Sequence, residues 1–226
     1  MNSAPSNAAS AEFQRLAFFG RISASVSHDI KNCLAVINEN AGLLEDIAHL
    51  ASAERPLDPG RVVATASRVK EQVRKADFIV KNMNTFAHSA DKPAMTFDLC
   101  ESVTLLLDLS ARLAARKGAK ISVTLPSKPL MISASPFRVM QALFGCIEMA
   151  LAQAGEEARL TVSAASTPSG AQLLVERDAW NGHPLAAEVA ELAETAGGVV
   201  YLNENGSIVL ELGETGNCSC PSMART

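Results

Sequence analysis

The chain has 226 residues, 48% hydrophobic and 19% charged, with a formal net charge of -4. That suffices for one large domain or two small ones of ordinary globular usage. The acidic balance, with no Lys/Arg run, argues against a nucleic-acid partner. No stretch approaches the roughly 20 uncharged apolar residues that span a membrane. The start, "MNSAPSNAASAEF", lacks the basic and apolar segments of a signal peptide. The expectation is a cytoplasmic protein.

Residues 1–10 read as a flexible tail. From about Ala11 to Ala51 there is no proline, and Ile22, Val26, Ile30, Cys33, Ile37, Leu44 and Ile47 recur at spacings of three, four or their sums. That predicts one apolar stripe on a long helix. "SAERPLDPG" then predicts a short loop. A second helix follows from about Arg61 to His88, carrying Val62, Ala66, Val69, Val73, Phe78, Ile79, Met83 and Phe86. Two long helices with a short loop make an antiparallel hairpin, residues 11–91. A lone hairpin buries little, so two copies are expected to close a dimeric four-helix bundle.

"SADKPAM" reads as a linker, and the pattern changes across residues 92–215. "DLCESVTLLLDLSARLAARKG" predicts a helix ended by Gly118, and "KISVTLP" a strand. "SPFRVMQALFGCIEMALAQAG" predicts a helix with Ser135 as N-cap and Gly155 beyond its end. "ARLTVSAAS" and "AQLLVERD" predict strands around the turn "TPSG". "PLAAEVAELAETAGG" predicts a helix, and "VVYLNENGSIVLELG" a hairpin with an Asn-Gly turn. The mixture predicts a two-layer α/β sandwich, so the whole chain is of the α+β class. Residues 216–226 read as a second flexible tail; Cys218 and Cys220 lie in it, and their role is not legible. Cys33, Cys100 and Cys146 sit among apolar neighbours and read as buried thiols.

One histidine stands out. At about 100° per residue, His28 points away from the apolar stripe, with Asn32 about 40° from it, Ala35 about 20° to one side and Glu39 about 20° to the other. That face is small or polar for several turns, so a partner can approach the imidazole. Asp29 follows directly, a carboxylate able to orient the ring or take its proton. A surface histidine without a role is the plainer reading of any solitary His, and His49, His88 and His183 stay under it.

The string "FFGRISASVSHDIKNCLAVINENAGLLED" resembles the phosphoacceptor segment of sensor histidine kinases: His28, then Asp29, Asn32 four residues after the His, and Leu34 two later. Cys33 stands where that family usually has Pro. "ADFIVKNMNTFAH" is similar to the family's second hairpin helix. "FDLCESVTLLLDLSARLAARKGAKISV" and "SPFRVMQALFGCIEMALAQA" resemble the start of its ATPase domain. The resemblance covers roughly Phe18 to Gly213. It implies a histidine phosphotransfer hairpin followed by an ATPase-like sandwich.

The same resemblance shows what is missing. The family's metal-binding helix carries two asparagines four apart; Gly145 and Met149 stand there, without side-chain oxygens. Its Asp-x-Gly-x-Gly motif is best matched by "DAWNG", where Asp178 and Gly182 are kept but Trp180 replaces a glycine. No glycine-rich lid follows. ATP binding is therefore not expected, and no cofactor is expected on this chain.

The implied function is that of the dimeric histidine phosphotransferases, which keep the kinase architecture without the nucleotide. His28 would exchange a phosphoryl group with the aspartate of a response-regulator receiver domain, whose own magnesium shields the charge. Asp29 would orient the imidazole. Lys31, Ala35 and Glu39 would border the docking surface, although a solvated charge is the plainer reading of Lys31 and of Glu39. Three alternatives stay open: a receiver phosphatase using Asn32 to position water, a non-catalytic dimeric binding module, and a kinase with an unusual pocket. The sequence names neither the receiver nor the direction of flow.

Overall fold

The computed structural model describes residues 7–52, 56–92, 94–152, 158–177 and 184–213. Asp178, Trp180, Gly182, Gly155, Cys218 and Cys220 lie outside them. The chain divides into two compact units, Met1–Thr85 and Phe86–Thr226.

The first unit is helical. Helix α1 spans Asn7–His49 and α2 spans Pro59–Ala90. Helix α1 thus begins before Ala11. Asp58 supports the start of α2, its Oδ1 accepting from the Gly60 N–H at 2.8 Å. Of the expected stripe, Ile22, Val26 and Cys33 are buried, whereas Ile30, Ile37, Leu44 and Ile47 are only half-buried. Val63, Val73, Phe78 and Val80 of α2 stay exposed.

The second unit begins inside α2, where Phe86 is buried and its ring lies 5.5 Å from that of Phe137. Strand β1 (Met95–Asp98) and α3 (Leu99–Ala115) follow, then β2 (Lys120–Thr124), β3 (Met131–Ala134) and α4 (Pro136–Ala152). Strands β4 (Arg159–Thr167) and β5 (Gly170–Arg177) precede α5 (Ala187–Thr195), β6 (Gly198–Leu202) and β7 (Ile208–Gly213). Five strands form one sheet in the order β2-β4-β5-β7-β6, with β2 parallel to β4 and the rest antiparallel.

Leu160, Val162, Leu173, Val175, Ile208, Leu210 and Leu212 alternate along three strands and are buried on one face. Helices α3, α4 and α5 pack against the sheet, with α4 in contact with both other helices. Burying each such Leu or Ile removes apolar area worth about 1.5–3 kcal/mol.

Strands β1 and β3 were not expected, and Met95 belongs to β1 rather than to a linker. They form a separate two-stranded antiparallel ribbon, Met95 opposite Ala134 and Asp98 opposite Met131. Four-residue strands give too little alternation to read. Asp98 ties this corner together: its Oδ1 accepts from Cys100 N–H at 3.0 Å, capping α3, and from Leu130 N–H at 2.9 Å.

Gly118 adopts φ of 68° beyond α3, and Ala119 N–H donates back to Ala114 O at 3.1 Å, a Schellman closure that glycine permits. Ser135 contributes its carbonyl, which accepts from Val139 N–H at 3.1 Å, while Pro136 supplies the preset φ of a first helical residue. The β6–β7 loop is longer than an Asn-Gly pair: Asn203 Oδ1 accepts from the N–H groups of Asn205 and Ser207.

Candidate functional site

Helix α1 presents His28 to solvent, together with Lys31, Asn32, Ala35 and Glu39. A buried stripe holds the opposite side of this stretch, with Ile22, Val26 and Cys33 each at most 5% exposed. The face that the sequence assigns to a partner is thus exposed through three turns. Leu34 is also exposed, at 56%, but lies about 120° around α1 from His28.

The ring has a partner. Asn32 Nδ2 lies 3.1 Å from His28 Nδ1, one helical turn away. Asp29 is half-buried, and burial pushes its carboxyl above the usual carboxylate range, while the Lys75 ammonium of α2 pulls it partly back. Sequence reading missed Lys75, because its nearness to Asp29 exists only once α1 and α2 fold together. It placed Asn32 one turn from His28 as a residue to position water and gave ring orientation to Asp29; the bond from Asn32 to the ring was not read.

The second unit shows a different situation at the positions matched to the family's asparagines. A Cβ at Gly145 would lie 3.0 Å from Leu192 Cδ1 and 3.8 Å from Val189 Cγ2. A side chain there would meet α5, whose Leu192 methyl would have to give by a few tenths of an ångström. Met149 is 8% exposed and closes the next turn of α4 with a thioether. These residues do not fit an ATP-bound magnesium, which asks for oxygen ligands. Burial pushes the thiol of Cys146, between them in sequence, up to about 12, so it stays protonated and inert.

A cavity of about 220 Å³ lies elsewhere on α4, lined by Leu113, Ile121, Phe144, Ile147 and Leu151 with Arg116, Lys117 and Glu148. Phe144 and Leu151 are roughly 100° or more from Gly145 and Met149 around the helix, so this is not the matched nucleotide face. Among the described residues, no group of three or more His, Cys, Asp and Glu could hold a metal ion. Among them, too, no helix is long and apolar enough to cross a membrane.

No family model matches the chain, and no curated protein matches it. Among solved structures it is similar to the nucleotide-free catalytic domain of the histidine kinase ThkA (16% identity, TM-score 0.44, 54% of this chain and 98% of that one). It is also similar to the histidine kinase AdeS of Acinetobacter baumannii (15% identity, TM-score 0.44, 83% of this chain and 98% of that one). A third is ThkA in complex with the response regulator protein TrrA (15% identity, TM-score 0.43, 95% of this chain and 68% of that one). With TM-scores below 0.5, these likenesses by themselves fix neither the fold nor the function of this chain.

Proposed function

We propose that this chain is a histidine phosphotransferase that exchanges a phosphoryl group between His28 and the aspartate of a receiver domain, without using ATP. The observation that carries the reading is His28 itself. It is exposed on a face of short and polar side chains, with one ring nitrogen engaged by Asn32.

In the transfer, Nε2 bonds to phosphorus as the P–O bond to the receiver aspartate breaks, the electron pair leaving on that carboxylate. The receiver brings the magnesium that neutralises the phosphoryl oxygens. Asp29 takes the proton that the ring must lose; its raised carboxyl makes it a better base than an ordinary aspartate. Lys31, Ala35 and Glu39 form the docking border. Val63, Val73, Phe78 and Val80 lie exposed on α2, and a second copy would cover them in a four-helix bundle. The site of action is the cytoplasm, where receivers act.

The packing of Leu192 and Val189 at Gly145, with Met149, supports the absence of nucleotide chemistry. The test offers the chain radiolabelled ATP alone, and then a receiver already charged by its kinase, with His28→Ala in parallel. Label from the charged receiver only, lost in His28→Ala, is expected. Label from ATP alone would make the chain a kinase. Loss of label from the receiver as free phosphate, persisting in His28→Ala and lost in Asn32→Ala, would make it a receiver phosphatase. Silence with a panel of receivers would leave a binding module.

A further inference from the structure

A neutral imidazole has one donor nitrogen and one acceptor nitrogen. A ring that attacks through Nε2 must therefore carry its proton on Nδ1. The group facing Nδ1 decides which nitrogen is the nucleophile. In this chain that group is the Asn32 amide, 3.1 Å away on the same exposed face of α1. An amide differs from a carboxylate in one respect: it offers an acceptor and a donor, exchanged by a half-turn about its last bond. Asp29 sits differently, half-buried and within the field of Lys75.

We propose that Asn32 is the positioning residue of His28, its amide turning with the reaction so that Oδ1 accepts from Nδ1–H before transfer and Nδ2–H donates to Nδ1 after it. The proposal rests on the phosphotransfer reading above. With Oδ1 toward the ring, Nδ1–H is held and the Nε2 lone pair is free to attack. Once Nε2 is bonded to phosphorus the ring is cationic. Its Nδ1 proton departs to the Asp29 carboxylate, and the neutral phosphoimidazole is left with a lone pair on Nδ1. The amide then meets that lone pair with Nδ2–H.

The turn has a second consequence. Phosphohistidine surrenders its phosphoryl group more readily when Nδ1 is protonated, because neutral imidazole is then the leaving group. Donation from Nδ2 opposes that protonation, so Asn32 lengthens the life of the phosphorylated state. While Nδ2 faces Nδ1, an unphosphorylated ring carries its proton on Nε2, and attack requires the other amide orientation.

The test uses the full chain, isotope-labelled at the histidine ring nitrogens, as wild type, Asn32→Ala and Asn32→Asp. Asn32→Asp keeps the shape but offers only acceptors. Ring-nitrogen NMR shifts report the tautomer of His28, and phosphohistidine decay is followed after charging by a phosphorylated receiver. Asn32→Asp is expected to move the proton to Nδ1, to accept phosphate at least as fast as wild type, and to lose it several-fold faster. Asn32→Ala is expected to lose the bias and to decay at an intermediate rate. Circular dichroism checks that all three are folded. Identical ring shifts in the three proteins would overturn the proposal, as would equal decay rates. If the shifts respond but no phosphoryl group is taken up by wild type, the transfer reading falls, while control of the ring by Asn32 is upheld.

Discussion

The helical unit and the sheet unit keep their family-matched residues in opposite environments. His28, Lys31, Asn32, Ala35 and Glu39 lie exposed on α1, free to meet another molecule. Gly145 and Met149 lie against α5 and within the core of the sheet unit. One region presents these residues at its surface and the other uses them in packing. The difference decides which positions tolerate substitution. A side chain in water can be exchanged at little cost, whereas one added against a neighbouring helix makes that helix's side chains shift.

The largest expected effect breaks the exposed side. His28→Ala should abolish phosphoryl uptake from a charged receiver while shifting stability by less than about 0.5 kcal/mol, as an exposed substitution does. Uptake is read by label and stability by urea denaturation. The core side responds the other way. Leu143→Ala should cost about 2–5 kcal/mol through the cavity left in α4, with labelling of the remaining folded protein at His28 retained.

Gly145→Asn sharpens the comparison. It places an asparagine where the resembled family has one, and its Cβ makes the Leu192 methyl shift. It should destabilise the sheet unit by about 1–3 kcal/mol and confer no saturable ATP binding by calorimetry. Asp98→Ala comes next, at about 1–2 kcal/mol, since it removes the α3 cap and the bond to Leu130 N–H together.

The smallest effect is the pH dependence of Asp29. Its folded carboxyl is raised, so the native state binds this proton more tightly than the unfolded chain does. Stability from this group is therefore full below the usual carboxylate range and declines as pH rises through the raised value. Asp29→Asn should be slightly more stable than wild type at neutral pH. The gain should vanish on acidification, as measured by melting temperature against pH.

Much of this was legible in the chain, unevenly. The 3.6-residue period marked α1 and α2 because they are long, and glycine marked the end of α3. The strands β1 and β3 escaped because four residues carry almost no pattern. The exposed face around His28 followed from angles on one helix, and so did the nearness of Asn32. Lys75 beside Asp29 did not, because it depends on how α1 meets α2. Gly145 was legible as a missing ligand, but Leu192 and Val189, some 45 residues on, show that its space is used.

The most direct test follows the destination of one phosphoryl group. A receiver carrying aspartyl phosphate is mixed with the chain in the absence of nucleotide, and phosphorus NMR is recorded through the reaction. The account predicts that the acyl-phosphate signal falls as a phosphoramidate signal rises, and that the new signal is missing with His28→Ala. An acyl-phosphate signal that stays unchanged, or that decays to inorganic phosphate alone at the same rate with wild type and His28→Ala, would contradict it.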